Sequence, residues 1–387
     1  MKTLYIHIGS PKTGTSSLQT FFGKNQSALY EDGVIFRRMP FPKYLWEVPD
    51  LSDPKRLKYH DYASGAASAD RNGMFLLGSQ KDGMQEENEA RRKQGFALLL
   101  SWFREKDNIL LTDEVLWRGI DVWGPETAAF AKQNNITVKI IVYLRRQLEY
   151  LDSLYRQDVK LFLMRMSYRE YAEHPLLKED YLAADYRKPL EKLSKLFGRE
   201  NLIVRVYDMK QWKRENKTIF DDFLGTMGLT FSSRYTVPKN DLNPSITHDT
   251  TELFRTLNDV IDVPDERTHH LSYRYRMAGY SVAALQEKGP RLSYLSREEQ
   301  EEVLRKYREA NRAVAREYLG REELFSEELP ETQKWENDPK RRQEDMVLFF
   351  GEVYRRLHKE LGEVGEECRR IQKRSLGMRL RRLFRRD

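Results

Sequence analysis

The chain has 387 residues, with 67 lysine or arginine and 60 aspartate or glutamate residues, so its formal net charge is +7 at pH 7. This length can bury a large core and allows one large domain with extensions, or two domains. The single cysteine, Cys368, excludes an intramolecular disulfide framework and is typical of a reducing compartment. We expect a cytoplasmic protein, because the sequence shows neither a signal peptide nor an apolar stretch near the roughly 20 residues of a membrane span.

The first predicted elements are a strand, a glycine-bearing loop and a helix. Residues 6–8 form a short apolar strand, the loop occupies residues 9–14, and helical spacing begins near Ser17. Loop N–H groups and the dipole of a helix N-terminus point to one place, which favours an anion. The sequence therefore predicts a cradle for a phosphate or a sulfate.

The loop departs from the usual nucleoside-triphosphate loop in the place of its lysine. The spacing from Gly9 to Gly14 fits that motif, but Thr15 stands where the lysine belongs, and the lysine is Lys12, inside the loop. The displacement argues against ordinary ATP or GTP binding, in which that lysine reaches the terminal phosphates. The position of Lys12 inside the loop also brings one cation near the bond that links the cradled phosphate to the group attached to it.

The next predicted elements lead to a pair of carboxylates. An irregular region at residues 37–82, rich in proline and tyrosine, is followed by a helix at 86–103 and a strand at 108–112. Asp113 and Glu114 come directly after that strand. Side chains at such a strand end can point into an active cleft.

A second strand and helix carry an arginine and a serine. Residues 140–142 predict a buried strand, and the helix begins near Gln147. Ser153 lies roughly two turns into this helix, so it can share an anion with Arg145 only if the ligand lies along the first turns. Arg146 is the competing arginine, and an exposed arginine beside a solvated serine is the structural alternative.

The remaining elements complete the fold prediction. A helix at 190–197 and a strand at 201–206 continue the alternation, which favours an α/β fold with a central parallel sheet and ligands at the carboxyl ends of its strands. Helices would flank this P-loop-like sheet, and residues 329–387 would add a helical extension.

The basic tail accounts for most of the excess charge. Nine lysine or arginine residues lie between 369 and 386, so the rest of the chain is nearly balanced and we expect no nucleic-acid partner. Leu376, Leu380, Leu383 and Phe384 form one narrow apolar stripe at helical spacing. This stripe predicts contact with an anionic membrane surface, which would hold the protein at the inner face of the membrane. A solvated helix or a partner contact is the alternative, because Gly377 weakens the helix.

Two segments resemble the nucleotide-binding motifs of the sulfotransferase superfamily that uses 3′-phosphoadenosine 5′-phosphosulfate (PAPS). Residues 11–16 resemble the 5′-phosphosulfate loop, and residues 140–155 resemble the 3′-phosphate-binding strand and helix. Further similarity to bacterial members lies at 197–208, 220–224, 242–246 and 310–319. The resemblance thus covers about residues 2–328, which we treat as one sulfotransferase domain, with residues 329–387 outside it.

The resemblance implies a set of site residues. The phosphosulfate would be held by Pro11, Lys12, Thr13, Gly14, Thr15, Ser16 and Ser17. Arg145 and Ser153 would hold the 3′-phosphate, and Tyr207 would lie near the nucleotide, with a core tyrosine as the alternative. The Arg-Lys-Gly loop of cytosolic members is not recognisable, so the resemblance does not indicate how adenine is held.

A hydroxyl that attacks sulfur needs a base, and we assign this role to Glu114. The alternative is that Asp113 and Glu114 cap a helix starting near Val115. His7 is the next candidate, although it alternates with isoleucines on a strand, and His60 is a weaker one. We predict no metal site, and Lys12 would supply the positive charge on the leaving oxygen.

The acceptor is predicted from aromatic residues and from the resemblance. Tyr44, Trp46, Trp117 and Trp123 could stack on a sugar, with packing as the alternative. Resemblance to bacterial glycan-modifying members favours the hydroxyl of a carbohydrate or glycolipid, and a lipid-linked or small phenolic acceptor stays open. The predicted function is therefore sulfuryl transfer from PAPS, with 3′-phosphoadenosine 5′-phosphate as the product. The alternatives are a nucleotide-dependent kinase with an atypical phosphate loop and a noncatalytic, membrane-tethered nucleotide-binding module.

Overall fold

The fold is taken from a computed structural model of the protein. It describes residues 1–40, 45–49, 57–61, 70–78, 83–160, 165–173, 184–238, 246–260, 269–285 and 291–383. Among the predicted features, Tyr44, Phe384 and most of the segment 242–246 lie outside the described residues.

Five of the described strands form one parallel sheet with the order β2-β5-β1-β6-β7. The strands within the described residues are β1 (Thr3–His7), β2 (Val34–Ile35), β3 (Leu45–Pro49), β4 (Leu57–Asp61), β5 (Asn108–Thr112), β6 (Thr137–Leu144), β7 (Leu202–Val206), β8 (Leu292–Ser293) and β9 (Gln333–Lys334). In the centre of the sheet, Thr3 lies opposite Asn108 on one side and Thr137 on the other. The predicted central parallel sheet is confirmed.

Helices flank this sheet. They are α1 (Thr15–Lys24), α2 (Gln26–Glu31), α3 (Gln85–Trp102), α4 (Ile120–Gln133), α5 (Gln147–Lys160), α6 (Tyr168–Glu173), α7 (Arg187–Phe197), α8 (Met209–Arg214), α9 (Ile219–Thr226), α10 (His248–Val260), α11 (His269–Leu285), α12 (Arg297–Val314) and α13 (Pro339–Leu383). None of these described helices combines the length and the apolar character needed to cross a membrane.

The sheet is buried on both faces, as its continuous apolar strands require. Leu4 and Ile6 of β1 pack into a core with residues of α3, α4 and α7. Tyr5 points to the other face, where it joins a core with Phe21 and Phe22 of α1. Burial on both sides fixes the register of β1 and hence the place where the following loop begins.

The carboxyl ends of β1, β5, β6 and β7 meet at one edge of the sheet. Pairing with β6 continues past the end of β1, because the Ile8 and Ser10 N–H groups donate to the carbonyls of Ile141 and Tyr143. The glycine-bearing loop is therefore anchored to the sheet at its first residues. The segments that follow β5, β6 and β7 begin at the same edge, as expected for parallel strands.

The described parts of the region 37–82 have more secondary structure than the sequence indicates. β3 and β4 pair as antiparallel strands, so the prediction of a wholly irregular region is wrong for them. Phe75 lies in a short 3₁₀ helix and is fully buried. The buried Asn72 side chain donates to the Leu110 carbonyl and accepts from the Thr112 N–H, which ties this region to β5.

A separate helical core lies beside the sheet. It joins Tyr155 of α5, Tyr171 of α6, Phe254 of α10 and Phe349 of α13. The predicted helical extension is confirmed, and its first turns pack on this core. The proposed domain boundary at residue 328 stays a prediction.

Candidate active site

The loop after β1 has a backbone that depends on glycine at Gly14. Its φ angle is 79°, in the left-handed region, and it precedes the first residue of α1. A Cβ atom there would lie 2.9 Å from Ile219 Cδ1 and 3.2 Å from Tyr207 Cε2. Among the described residues no side chain caps α1, so its first N–H groups can donate to an anion.

Two buried hydroxyl groups hold the loop in shape. The Thr13 hydroxyl donates to the Ser10 carbonyl at 2.6 Å, and the Ser10 hydroxyl donates to the Tyr143 carbonyl at 2.9 Å. The Thr13 hydroxyl is therefore already bonded within the loop. A ligand would contact Thr13 through its backbone N–H group. Pro11 is buried, whereas Ser16 and Ser17 are half-buried in the first turn of α1.

The Lys12 ammonium lies at the centre of the site. Nζ donates to Gln157 Oε1 of α5 at 2.7 Å. Burial lowers the pKa of this ammonium below its ordinary value, while the nearby carboxylate of Glu114 acts in the opposite direction. Arg145 lowers the pKa further and Asp158 raises it. Lys12 is thus a part-buried cation with both acidic and basic neighbours.

Arg145 is the arginine that contacts the loop. Its Nη1 group donates to the Lys12 carbonyl at 2.9 Å, and its guanidinium lies 5.6 Å from the centre of the Tyr207 ring. Burial lowers the pKa of Arg145, yet a guanidinium remains charged in a protein. Tyr207 is fixed by its N–H, which donates to the Leu144 carbonyl. The structure therefore brings both predicted residues to the loop.

The competing arginine, Arg146, is engaged elsewhere. Its guanidinium pairs with Glu149 at 2.5 Å and donates to the carbonyl of Glu328 at 2.8 Å. These partners lie on α5 and on the segment after α12. Between the two adjacent arginines, the geometry favours Arg145 as the one that faces a ligand in the loop.

Ser153 lies on the side of α5 that faces the loop. It is half-buried, and Gln157, which accepts from Lys12, lies one helical turn further on the same face. Among the described residues no hydrogen bond joins Ser153 to Arg145. The two residues flank the first turns of α5, as a ligand shared between them requires.

The two adjacent carboxylates after β5 have different partners. Asp113 is fully buried, accepts from the Val115 N–H at 3.0 Å and pairs with Arg71 at 2.5 Å. Glu114 instead accepts a hydrogen bond from the hydroxyl of Thr15, the first residue of α1. The capping alternative therefore holds for Asp113, while Glu114 lies at the loop.

The histidine alternatives are less suitable as bases. His7 is fully buried beneath the loop, with Nδ1 2.8 Å from the Thr112 hydroxyl. Burial lowers the pKa of His7 to about 3, so its ring stays neutral in the folded protein at pH 7. The side chain of His60 lies outside the described part of the chain.

Asp158 is a site residue that the sequence reasoning missed. It is 5% exposed and accepts from the Tyr171 hydroxyl at 3.1 Å. Burial raises its pKa to about 6, against the opposing effects of Arg118 and Lys12. The sequence did contain a signal for this residue. Asp158 follows Leu154 by one helical turn and so lies on the buried face of α5, where a carboxylate needs cationic or hydrogen-bond-donor partners.

For two of the four aromatic residues considered as sugar contacts, the packing alternative holds. Trp117 and Trp123 are 1% and 0% exposed, and they pack in the core between the sheet and its helices. The Trp123 indole N–H donates to the Leu116 carbonyl at 2.8 Å, which satisfies the group without a ligand. The side chain of Trp46 lies outside the described residues.

The positive charge of the site comes from Lys12, Arg145 and the N-terminus of α1. Within the described ranges, no group of three or more histidine, cysteine, aspartate or glutamate side chains is arranged to hold a metal ion.

Comparisons with known proteins give distant similarities. No family model matches the chain. An uncharacterized protein from Archaeoglobus fulgidus is 30% identical over 202 residues, which are 52% of this chain and 51% of that protein, so the match spans about half the length of the relative. A sulfotransferase from Alicyclobacillus acidocaldarius has a similar solved structure, with a TM-score of 0.35 and 17% identity over 70% of this chain and 96% of that one. A retinol dehydratase, solved with androsterone and the inactive cofactor PAP, has a TM-score of 0.31 and 12% identity over 67% of this chain and 64% of that one.

The raised pKa of Asp158 predicts a pH-dependent stability difference for Asp158→Asn. In the unfolded chain this carboxyl titrates near 3.8 and in the fold near 6, so its contribution to stability is present at low pH and is lost as the pH rises between these values. The variant should therefore gain about 2 to 3 kcal/mol of unfolding free energy relative to the parent protein between pH 4 and pH 7. Urea unfolding at both pH values measures this difference.

The matched control is Asp121→Asn, since the Asp121 side chain is 75% exposed. It should change the unfolding free energy equally at both pH values. A difference of the same size for Asp121→Asn, or none for Asp158→Asn, contradicts the prediction.

Proposed function

We propose that the protein is a sulfotransferase that moves a sulfuryl group from PAPS to an acceptor hydroxyl, with a carbohydrate or glycolipid as the acceptor. The observation that carries this proposal is the part-buried ammonium of Lys12 inside the anion-binding loop, with Arg145 bonded to the Lys12 carbonyl. The loop binds one phosphate, and Arg145 provides a second anion site beside it. A nucleotide with phosphates at both its 5′ and 3′ positions has the matching charges.

The residues fit such a donor in two parts. The first N–H groups of α1 and the hydroxyls of Ser16 and Ser17 would hold the 5′-phosphosulfate. Arg145, just before α5, and Ser153, two turns along it, would hold the 3′-phosphate. Tyr207 packs against Arg145 and supports this second part.

In the proposed reaction the donor supplies an activated sulfuryl group. The acceptor oxygen forms a bond to sulfur as the bond between sulfur and the bridging phosphate oxygen breaks. The acceptor proton passes to the Glu114 carboxylate, and the electron pair of the broken bond remains on the phosphate. Lys12 stabilises the charge that develops on that oxygen, because its cation is held in place before the reaction.

The loop is poorly suited to a nucleoside triphosphate with magnesium. Such loops use a serine or threonine hydroxyl as a metal ligand and a lysine directly before it. Here Thr15 stands in place of that lysine and donates its hydroxyl to Glu114, and the lysine of this loop is three residues earlier. This difference supports sulfuryl transfer over phosphoryl transfer.

The acceptor class is supported by the resemblance to bacterial glycan-modifying sulfotransferases. The described residues 70–78 provide a place where such an acceptor would bind. Arg71 and Asn72, which follow β3 and β4, contact Asp113 and β5 beside Glu114. A segment that is tied down next to the base is well placed to bind the molecule that the base deprotonates.

A label-transfer assay tests the proposed function. The protein is incubated with ³⁵S-labelled PAPS or with ATP labelled in its γ-phosphate, each with a panel of oligosaccharides, glycolipids and phenols. We expect label in an oligosaccharide or glycolipid from PAPS alone. Transfer from ATP would identify a kinase, and binding of either nucleotide without transfer would identify a noncatalytic module; both results contradict the proposal.

Replacing Lys12 should slow the reaction far more than it weakens nucleotide binding. Its contact with the leaving oxygen strengthens as charge develops, so Lys12→Ala should lose about 3 kcal/mol or more of barrier stabilisation, which is a turnover loss of at least about 100-fold. Turnover at saturating PAPS and the affinity for 3′-phosphoadenosine 5′-phosphate measure the two effects. Lys24→Ala, at the exposed C-terminal end of α1, also removes one lysine charge and should leave turnover intact. Near-normal turnover of Lys12→Ala would overturn the role of this residue.

Arg145 and Arg146 should differ in their effect on nucleotide binding. Arg145→Ala should weaken the binding of 3′-phosphoadenosine 5′-phosphate and have much less effect on adenosine 5′-phosphate, which lacks the 3′-phosphate. Ser153→Ala should show the same selectivity with a smaller loss. Arg146→Ala is the control, because its guanidinium bonds to Glu149 and the Glu328 carbonyl. Equal losses for both ligands by calorimetry, or a larger effect of Arg146→Ala, would place the 3′-phosphate elsewhere.

Substitutions of the two adjacent carboxylates should have different effects, one on turnover and the other on stability. Glu114→Gln keeps an oxygen that can accept from Thr15, so nucleotide affinity should be unchanged while turnover falls about 100-fold or more, as expected for the loss of a general base. Asp113→Asn disturbs the buried pair with Arg71 and should mainly lower the unfolding free energy. Kinetics and urea unfolding of both variants test this contrast. Unchanged turnover of Glu114→Gln removes it from the mechanism.

A further inference from the structure

The long C-terminal helix α13 carries a regular apolar repeat. Its members alternate in steps of three and four residues: Val347, Phe350, Tyr354, Leu357, Leu361, Val364, Cys368 and Ile371. Steps of three and four make a seven-residue repeat with two apolar positions, the pattern of a coiled coil. No charged residue occupies any of these positions. We call this set of residues the heptad seam.

The heptad seam lies open to solvent. Six of its side chains are about half exposed or more: Val347 68%, Phe350 49%, Tyr354 70%, Leu361 71%, Val364 60% and Ile371 56%. Single exposed apolar side chains are common on proteins, but a continuous line of them marks an interaction surface. The seam therefore needs a partner that the described part of the chain does not supply.

The seam is distinct from the side of α13 that packs on the body of the protein. That side contributes Phe349, which is fully buried, and Arg356, which donates to the Ser281 hydroxyl of α11 at 2.9 Å. From residue 361 to residue 372 the helix is exposed at every position except Gly365. An isolated helix of about 12 residues is only marginally stable in water. The exposed part of α13 from residue 361 to residue 372 therefore also requires a partner.

The period of the seam selects the kind of partner. A face that docks on a globular surface follows the 3.6-residue period of a straight helix, whereas a strict seven-residue repeat keeps its seam against another helix that supercoils with it. A long helix with this periodicity is itself typical of a coiled coil. The heptad seam therefore fits a second helix with the same repeat.

Charge excludes an anionic membrane as the natural occupant of this segment. Between residues 347 and 371 the sequence has five lysine or arginine residues and five glutamates, so the segment has no net charge. The basic residues that favour an anionic surface are concentrated after it. A neutral segment gains nothing from the electrostatic attraction that such binding uses.

We propose that the heptad seam binds the heptad seam of a second copy of this chain and forms a homodimer through a two-stranded coiled coil. A second copy carries the same repeat over the same 25 residues, about 37 Å of helix, and a two-fold axis makes the two surfaces self-complementary. In each protomer, the loop that follows β1 stays outside this interface. Each protomer would keep its own complete site.

Analytical ultracentrifugation of the full-length protein tests the proposal. We expect the parent protein to sediment with twice the mass of the 46.1 kDa chain in the micromolar range. Leu361→Glu places a charge in the middle of the seam and should weaken dimerisation about 100-fold or more, because the buried carboxylate would be unpaired. Since Leu361 is 71% exposed in the single chain, this substitution should not lower the helix content or the melting temperature of the protomer.

The matched control is Leu348→Glu, which changes an apolar residue of the same helix that is 44% exposed and lies outside the seam. It should leave the dimer intact. A parent protein that is monomeric throughout the micromolar range overturns the proposal, whether or not it floats with anionic vesicles or joins a different protein. Equal effects of the two substitutions overturn it as well.

Discussion

The part-buried ammonium of Lys12 is the constraint on which the site depends. A cation held partly out of water needs partners, and here two structural elements supply them: α5 provides Gln157 and Asp158, and the end of β5 provides Glu114. The loop carbonyl of the same residue binds Arg145. One residue therefore holds together the loop, the helix that follows β6 and the carboxylate that follows β5.

The parallel sheet makes this convergence possible. β1, β5 and β6 are neighbours, so the segments that leave their carboxyl ends emerge side by side. Burial on both faces holds the strands in register, and the loop after β1 begins in hydrogen bonds to β6. The positions of the charged groups thus follow from packing far beneath them, and a change in strand register would separate them.

Local patterns account for what the sequence predicted well. The strand before the loop, α1 and α5 were predictable because apolar spacing and glycine positions act over a few residues. The choice of Arg145 came from the resemblance to a known motif. The pairing of β3 with β4, the burial of Trp117 and the bonds of Asn72 depend on partners distant in sequence. A pattern of residues along the chain does not reveal such distant partners. The different roles of Asp113 and Glu114 likewise become visible only when their partners Arg71 and Thr15 are known.

A crystal structure with 3′-phosphoadenosine 5′-phosphate tests the central claim most directly. If one nucleotide bridges the loop and α5, its 5′-phosphate lies within hydrogen-bond distance of the Lys12 side chain and the first N–H groups of α1. Its 3′-phosphate then lies within hydrogen-bond distance of Arg145 and Ser153. A nucleotide bound elsewhere, or one whose 3′-phosphate points away from Arg145 into solvent, would contradict the account.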